Sequence, residues 1–301
     1  MEVNEAQVIV VEIGYGDVKV KTKDKCFKFP SAVERQREAQ FEYEENDEEH
    51  IYEFKGKKYS VGERALTNAV STRGFNFLVN FSSLLTYHAI KLAGLDTSKP
   101  IKVITGLSIV NWDEKDEYTK SLQIIKVDED IIQPDIVLLA QGQGVFLDYK
   151  GDKGGIICIA DIGYNTFDFL VFKDGKPQQN LSYATKKGVN EIVTELQRKL
   201  IKKFKFDATE QAAKKVFSDG FIMHYGEKID LTDEIEEAKS EYAEFILDEM
   251  RSKGVDLLRS ANKIIFSGGG AYFLSLDKLT DNSVLSEAPY EFANARGYYG
   301  S

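Results

Sequence analysis

The sequence predicts an α/β protein built from two similar domains, and three observations predict it. Two apolar runs, Val8–Val11 and Ile156–Ala160, each close on a carboxylate, Glu12 and Asp161, then pass through a glycine turn into a returning strand. Each of these hairpins is followed by further strands and amphipathic helices, the alternation expected of layered α/β domains. The third is size: 301 residues with 43% apolar content suffice for one large or two medium cores. Glycine and charge interrupt the pattern at Tyr149–Lys153, so the domains are placed at 1–150 and 151–301.

The elements follow in order. Val8–Val20 reads as strand, turn, strand, with Gly14 and Gly16 at the bend. Cys26–Val33 is a further strand closed by Pro30, and the acidic stretch Glu42–Glu49 reads as a solvated loop. Ile51–Gly62 alternates around a Lys55-Gly56-Lys57 turn, so residues 27–62 look like a small insertion carrying a hairpin. Ser82–Leu95 has helical spacing that ends at Gly94 and Pro100, and places His88 among packed apolar residues. Ile101–Leu107 returns to strand, and Ile131–Leu139 is an apolar segment broken by Pro134. Ala140-Gln141-Gly142-Gln143-Gly144 then suits a helix start or a close packing contact.

In the second half, Ile156–Ile162 and Phe167–Phe172 form the hairpin around Gly163. Gly188–Phe204 is an amphipathic helix with Val189, Ile192, Val193, Leu196, Leu200 and Ile201 on one stripe. Its basic residues gather at the C-terminal end, which the helix dipole favours. A second long helix starts at Thr232, read as its N-cap, and runs to about Lys253 before Gly254. Residues of about 205–245 form a second insertion, and Lys263–Ser267 is a strand running into Gly268-Gly269-Gly270.

Composition excludes several classes. A net charge of −10 argues against a sequence-independent grip on nucleic acid, which needs surplus Lys and Arg to neutralise phosphates. The two cysteines, Cys26 and Cys158, form neither a disulfide framework nor a zinc motif, and Cys158 sits in an apolar run as a small hydrophobe. The acidic start is unlike a signal peptide, and no apolar run has membrane-spanning length. A reducing cytoplasm is the expected compartment.

The hairpins carry the chemistry. A glycine turn presents successive backbone N–H groups to an anion, and a carboxylate beside it can hold hydrated Mg²⁺. Lys19, on the strand returning from Glu12, can meet a phosphate held by the turn formed by Gly14, Tyr15 and Gly16. Asp161 and the turn Gly163, Tyr164, Asn165 and Thr166 supply the same groups in the second half. Taken singly, either segment is also an ordinary β-hairpin. As a pair they read as a clamp on a polyphosphate.

These residues resemble the actin-like ATPase superfamily, and within it the bacterial and archaeal actins of the ParM plasmid-segregation type. The first hairpin looks like that family's first phosphate loop, and Asp161-Ile162-Gly163-Tyr164-Asn165-Thr166-Phe167-Asp168 like its second. Ile264–Gly270 resembles the adenosine motif, in which glycines let the backbone approach base and ribose. Ala140–Gly144 resembles the first connecting segment, and Phe292–Tyr298 the close of the segregation actins.

The resemblance implies an actin-like (ribonuclease H-like) fold with a nucleotide cleft between two domains, ATP or GTP with Mg²⁺ as ligands, and assembly into a homopolymer. It implies that Gln141 positions the attacking water, that Asp161 and Glu12 hold the metal through water, and that Gly268, Gly269 and Gly270 line the nucleotide. Glu191, on the helix after Gly188, is a candidate ribose contact or an exposed residue. The acidic chain is expected to reach DNA only through a DNA-binding adaptor. Glu12 departs from the family's usual aspartate, which bears on turnover more than on binding. Kinases of this superfamily need a carboxylate base, which Gln141 does not supply, and a chaperone needs a further peptide-binding domain. A scaffold that binds nucleotide with little hydrolysis is the remaining alternative, resting on Glu12.

Overall fold

The chain divides into two units, one formed by Met1–Lys150 with Glu291–Ser301 and the other by Gly151–Tyr290. The computed structural model describes residues 6–36, 50–66, 68–70, 72, 74–205, 210–274 and 280–301. The acidic stretch 42–49 lies outside the described residues.

In the first unit β1 (Gln7–Ile13) turns into β2 (Asp17–Lys21), which pairs with β3 (Cys26–Pro30). A small sheet of β4 (Val33–Arg35), β5 (Ile51–Phe54) and β6 (Lys57–Val61) follows, in the order β4-β6-β5. Helix α1 (Phe75–Ala93) leads to β7 (Ile101–Leu107), then α2 (Lys115–Leu122), the hairpin β8 (Ile125–Val127) and β9 (Asp130–Ile132), and β10 (Asp135–Ala140). Helix α3 (Gln143–Asp148) closes this run. The main sheet has the order β10-β7-β1-β2-β3, with β1, β7 and β10 parallel and the β1–β2–β3 edge antiparallel.

The second unit repeats this plan. The hairpin β11 (Ile156–Ile162) and β12 (Phe167–Lys173) carries the short strands β13 (Lys176–Pro177) and β14 (Tyr183–Thr185) on its β12 side. Helices α4 (Asn190–Phe204) and α5 (Glu210–Asp219), the hairpin β15 (Phe221–His224) and β16 (Glu227–Asp230), and α6 (Thr232–Ser260) come next. Strands β17 (Lys263–Ser267) and β18 (Ser283–Leu285) complete the sheet in the order β13-β12-β11-β17-β18, with β11, β17 and β18 parallel. An antiparallel hairpin extended by two parallel strands thus occurs once in each unit.

Three sequence expectations change. The last helix, α7 (Ala293–Tyr299), belongs to the first unit and not to a domain ending at 301, because its buried face packs on β1 and β7 through Ala295 and Tyr298. Within the 27–62 segment, Phe29, Val33, Tyr52, Phe54 and Val61 enter the first unit's main core. Thr232 is the first helical residue of α6 and Leu231 stands at the N-cap, while the Thr232 N–H donates to the Asp230 carboxylate at 2.8 Å. Ile201 is 45% exposed, since Leu200 fills the position facing the core and the next residue turns about 100° away from it.

The segment around 205–245 encloses a satellite core, in which Val193, Leu196 and Leu200 of α4 meet Val216, Ile222 and Ile235. Cys158 is fully buried, and burial pushes its thiol up to about 12, which leaves it unreactive. Among the described residues no helix is long and apolar enough to cross a membrane.

Candidate functional site

In the first unit, register places the candidate residues side by side. Glu12 on β1 lies opposite Lys19 on β2, and Lys19 lies opposite Lys28 on β3, so one row carries a carboxylate and two ammonium groups. Lys28 is spoken for: it pairs with Asp17 at 3.5 Å and Glu291 at 3.0 Å. Burial alone would lower its pKa, but these two carboxylates outweigh it and raise it. Lys19 folds over the turn, because a methyl group on Gly14 would sit 3.1 Å from its Nζ. The turn is tight, with Gly14 N–H donating to Asp17 O at 3.1 Å. Ser31 braces it from outside, its N–H donating to Gly16 O at 2.9 Å and its hydroxyl to Gly14 O at 2.5 Å. Tyr15 packs against the core and accepts from Asn111 Nδ2 at 3.1 Å.

Glu12 is 4% exposed, at the C-terminal end of a parallel strand. Gln141 follows β10, and its backbone N–H donates to Leu107 O at 2.9 Å. Gly142 takes the left-handed conformation, φ 86°, which turns the chain into α3 and brings the Gln141 amide back to the Glu12 carboxylate at 3.5 Å. Two residues 129 apart in sequence therefore meet across the strand ends. Asn294 of α7 joins them, its Nδ2 donating to Glu12 Oε1 at 3.4 Å.

In the second unit the equivalent row is acidic. Asp161 on β11 lies opposite Asp168 on β12 and Ser267 on β17, with the two aspartates 7% and 1% exposed. Gly163 N–H closes the turn on Thr166 O at 2.9 Å, and Asn165 and Thr166 are buried beneath it. The turn is then held by the start of α4: Val189 N–H donates to Gly163 O at 3.0 Å and Asn190 N–H to Tyr164 O at 2.8 Å. A side chain at Gly188 would collide with Tyr164 O at 2.3 Å, so only glycine permits this approach.

The triple glycine divides by role. Gly268 has φ +82°, and a Cβ there would meet Ile162 O at 2.4 Å and Asp161 Oδ1 at 2.6 Å. Gly270 packs against Ile162 in the same manner, at 2.1 Å. Gly269 is exposed and has open space where a Cβ would stand. Glu191 is exposed in the first turn of α4, next to Val189 and Asn190, which hold the Gly163–Thr166 turn.

Sequence reasoning missed two residues as site members. Asp168 was visible within the second loop, and only the register reveals that it faces Asp161. Asn294 lies 282 residues from Glu12 and carries no local signal.

The residues suit Mg²⁺. Among the described residues no group of three His, Cys, Asp or Glu side chains gathers as a protein cage. Mg²⁺ keeps several waters and takes one or two carboxylates plus phosphate oxygens, donors of the kind that the buried Glu12 carboxylate, or the Asp161 and Asp168 pair, can supply.

Residues 11–143 match the family model of actin-like proteins, N-terminal domain, and residues 159–280 that of the archaeal actin homologue MreB-like, C-terminal. No curated protein sequence matches the chain. Among solved structures, the archaeal actin homologue Ta0583 superposes with TM-score 0.81 at 21% identity, over 98% of both chains. Its complex with ADP gives 0.78 at 20%, also over 98% of both. A 15-stranded ParM filament from Clostridium botulinum gives 0.80 at 22%, again over 98% of both. With one such family model on each unit and one fold throughout, the chain belongs to the actin-like proteins and has the fold of ParM.

Proposed function

We propose that this protein binds a nucleoside triphosphate with Mg²⁺, hydrolyses it, and assembles into a homopolymeric filament. The observation that carries the reading is the convergence of Gln141 on the Glu12 carboxylate beside the Gly14 turn and the Lys19 ammonium. Backbone amides of the turns at Gly14–Gly16 and Gly163–Thr166, with Lys19, hold the phosphates. Glu12 and Asp161 hold the metal through water, and bound Mg²⁺ offsets phosphate charge. An amide is a poor base, so Gln141 orients the attacking water and does not deprotonate it. Gly269 leaves open backbone for base or ribose. The ADP complex of one structural relative and the filament of another support both halves of the proposal.

We assign the filament to DNA segregation or cell organisation in the cytoplasm, with a DNA-binding adaptor as bridge, since a net charge of −10 opposes direct DNA contact. ATP is the first nucleotide to test and GTP the second. Light scattering should rise on adding nucleotide and Mg²⁺, and phosphate release should follow. Gln141→Ala should keep nucleotide affinity while release falls about 10²-fold. A flat scattering trace across protein concentrations rejects the filament. Nucleotide-dependent assembly with negligible phosphate release from the unaltered protein would favour the scaffold reading, consistent with Glu12 at a position the family fills with aspartate.

A further inference from the structure

Helix α7 reaches the candidate site from the far end of the chain, and Asn294 is the side chain that arrives there. It is 4% exposed. Its Oδ1 accepts two backbone N–H groups at the start of α3, Gly142 at 2.9 Å and Val145 at 3.3 Å. Its Nδ2 donates to Glu12 Oε1 at 3.4 Å. The orientation of the amide is forced, because the reverse would set NH₂ against two donors and a carbonyl against a carboxylate.

One side chain therefore ties the residue after Gln141 to Glu12. Three contacts keep α7 from sliding. Arg296 donates through Nε at 3.0 Å and Nη2 at 2.8 Å to Asp148 Oδ2, at the end of α3. Tyr298 OH donates to Ala140 O at 2.8 Å, immediately before Gln141. Gly144 and Gly297 let the backbones of α3 and α7 touch, since a Cβ on Gly297 would overlap Gly144 O.

We infer that Asn294 is a positioning residue for nucleotide hydrolysis, fixing Gln141 and Glu12 relative to one another through its two-sided amide. The inference rests on the hydrolysis proposed above. Its two functions are separable. The acceptor side caps α3 and supports the fold, whereas the donor side faces the reaction.

Asn294→Asp separates them. The carboxylate still accepts from Gly142 and Val145, but it confronts Glu12 with like charge in place of a donor. The expected result is a protein that still folds, with a melting temperature lowered by the buried like-charge pair, kcat for phosphate release down about 10²-fold, and KM for nucleotide changed much less. Asn294→Ala, which loses both sides, should lose stability as well.

A double-mutant cycle then tests the route of action. If Asn294 acts through Gln141, adding Asn294→Asp to Gln141→Ala should lower kcat little further. Full additivity overturns the inference, as does an Asn294→Asp protein that is folded and turns over normally. Unaltered protein that binds nucleotide without releasing phosphate overturns it too, together with the hydrolysis reading. Normal release by the unaltered protein and by Asn294→Asp alike rejects the positioning role alone.

Discussion

Gly268 and Gly269 are chemically identical neighbours with opposite surroundings. At Gly268 a methyl group would need a left-handed backbone and would press on Ile162 O and the Asp161 carboxylate, at 2.4 and 2.6 Å. At Gly269 it would meet nothing within 4 Å. Gly268→Ala should therefore cost about 1–3 kcal/mol in chemical denaturation through overpacking. It should also weaken Mg²⁺-nucleotide binding by moving Asp161. Gly269→Ala should leave stability unchanged while weakening nucleotide binding. Unaltered nucleotide affinity in Gly269→Ala would show that the open space at Gly269 has no use for a ligand. The glycine run was legible in sequence as a close-approach motif, but the division of labour within it was not, because it depends on a carbonyl and a carboxylate from β11. Asp161 and Glu12 were legible as strand-end carboxylates for a simpler reason: each is the first charge after an apolar run and stands one residue before the end of its strand.

At the scale of elements, α1 shows how helical spacing predicts burial without predicting its chemistry. His88 on α1 is 2% exposed, with Phe29 and His50 packed edge-on at 4.6 and 4.8 Å between ring centres. Tyr52 OH on β5 meets its Nδ1 at 2.8 Å. Burial pushes His88 down to about 3, with His50 adding to the effect. The ring is therefore neutral in the folded protein and takes a proton near pH 6.5 once unfolded. Since the unfolded chain binds the extra proton, stability is fully present above about pH 6.5 and falls with pH towards about 3, at up to about 1.4 kcal/mol per pH unit. His88→Gln should flatten this slope between pH 6.5 and 5, above the carboxylate range, as read from denaturation midpoints. An unchanged slope would mean the ring is already protonated in the folded state. The packed histidine was readable from its place on the apolar stripe. Its partners were not, since Phe29, His50 and Tyr52 come from the 27–62 segment, distant in sequence and with no local signal that points to α1. The contact of α3 with α7 was likewise hidden: each helix has only six or seven residues, and neither carries periodicity enough to name its neighbour.

For the whole molecule, the repeated plan was legible because its unit is local: a carboxylate-ended hairpin needs only about fifteen residues of sequence to recognise. The return of α7 to the first unit depends on contacts about 150 residues or more away, such as Tyr298 with Ala140, and no short window reports them. Net charge is also a property of the whole chain, and it decides how copies meet. Each copy carries −10, so a homopolymer must bring like charges together at every added subunit. Salt shortens the reach of that repulsion, from about 30 Å at 0.01 M to about 8 Å at 0.15 M ionic strength. The critical concentration for assembly with nucleotide and Mg²⁺ should therefore fall as monovalent salt rises across this range, with Mg²⁺ held constant, in pelleting or light-scattering assays. The opposite trend would identify a subunit contact held mainly by opposite charges, strong enough to outweigh the global repulsion. The same acidity predicts no retardation of DNA by the protein alone at 0.15 M salt, and retardation only when a basic adaptor supplies the phosphate contacts.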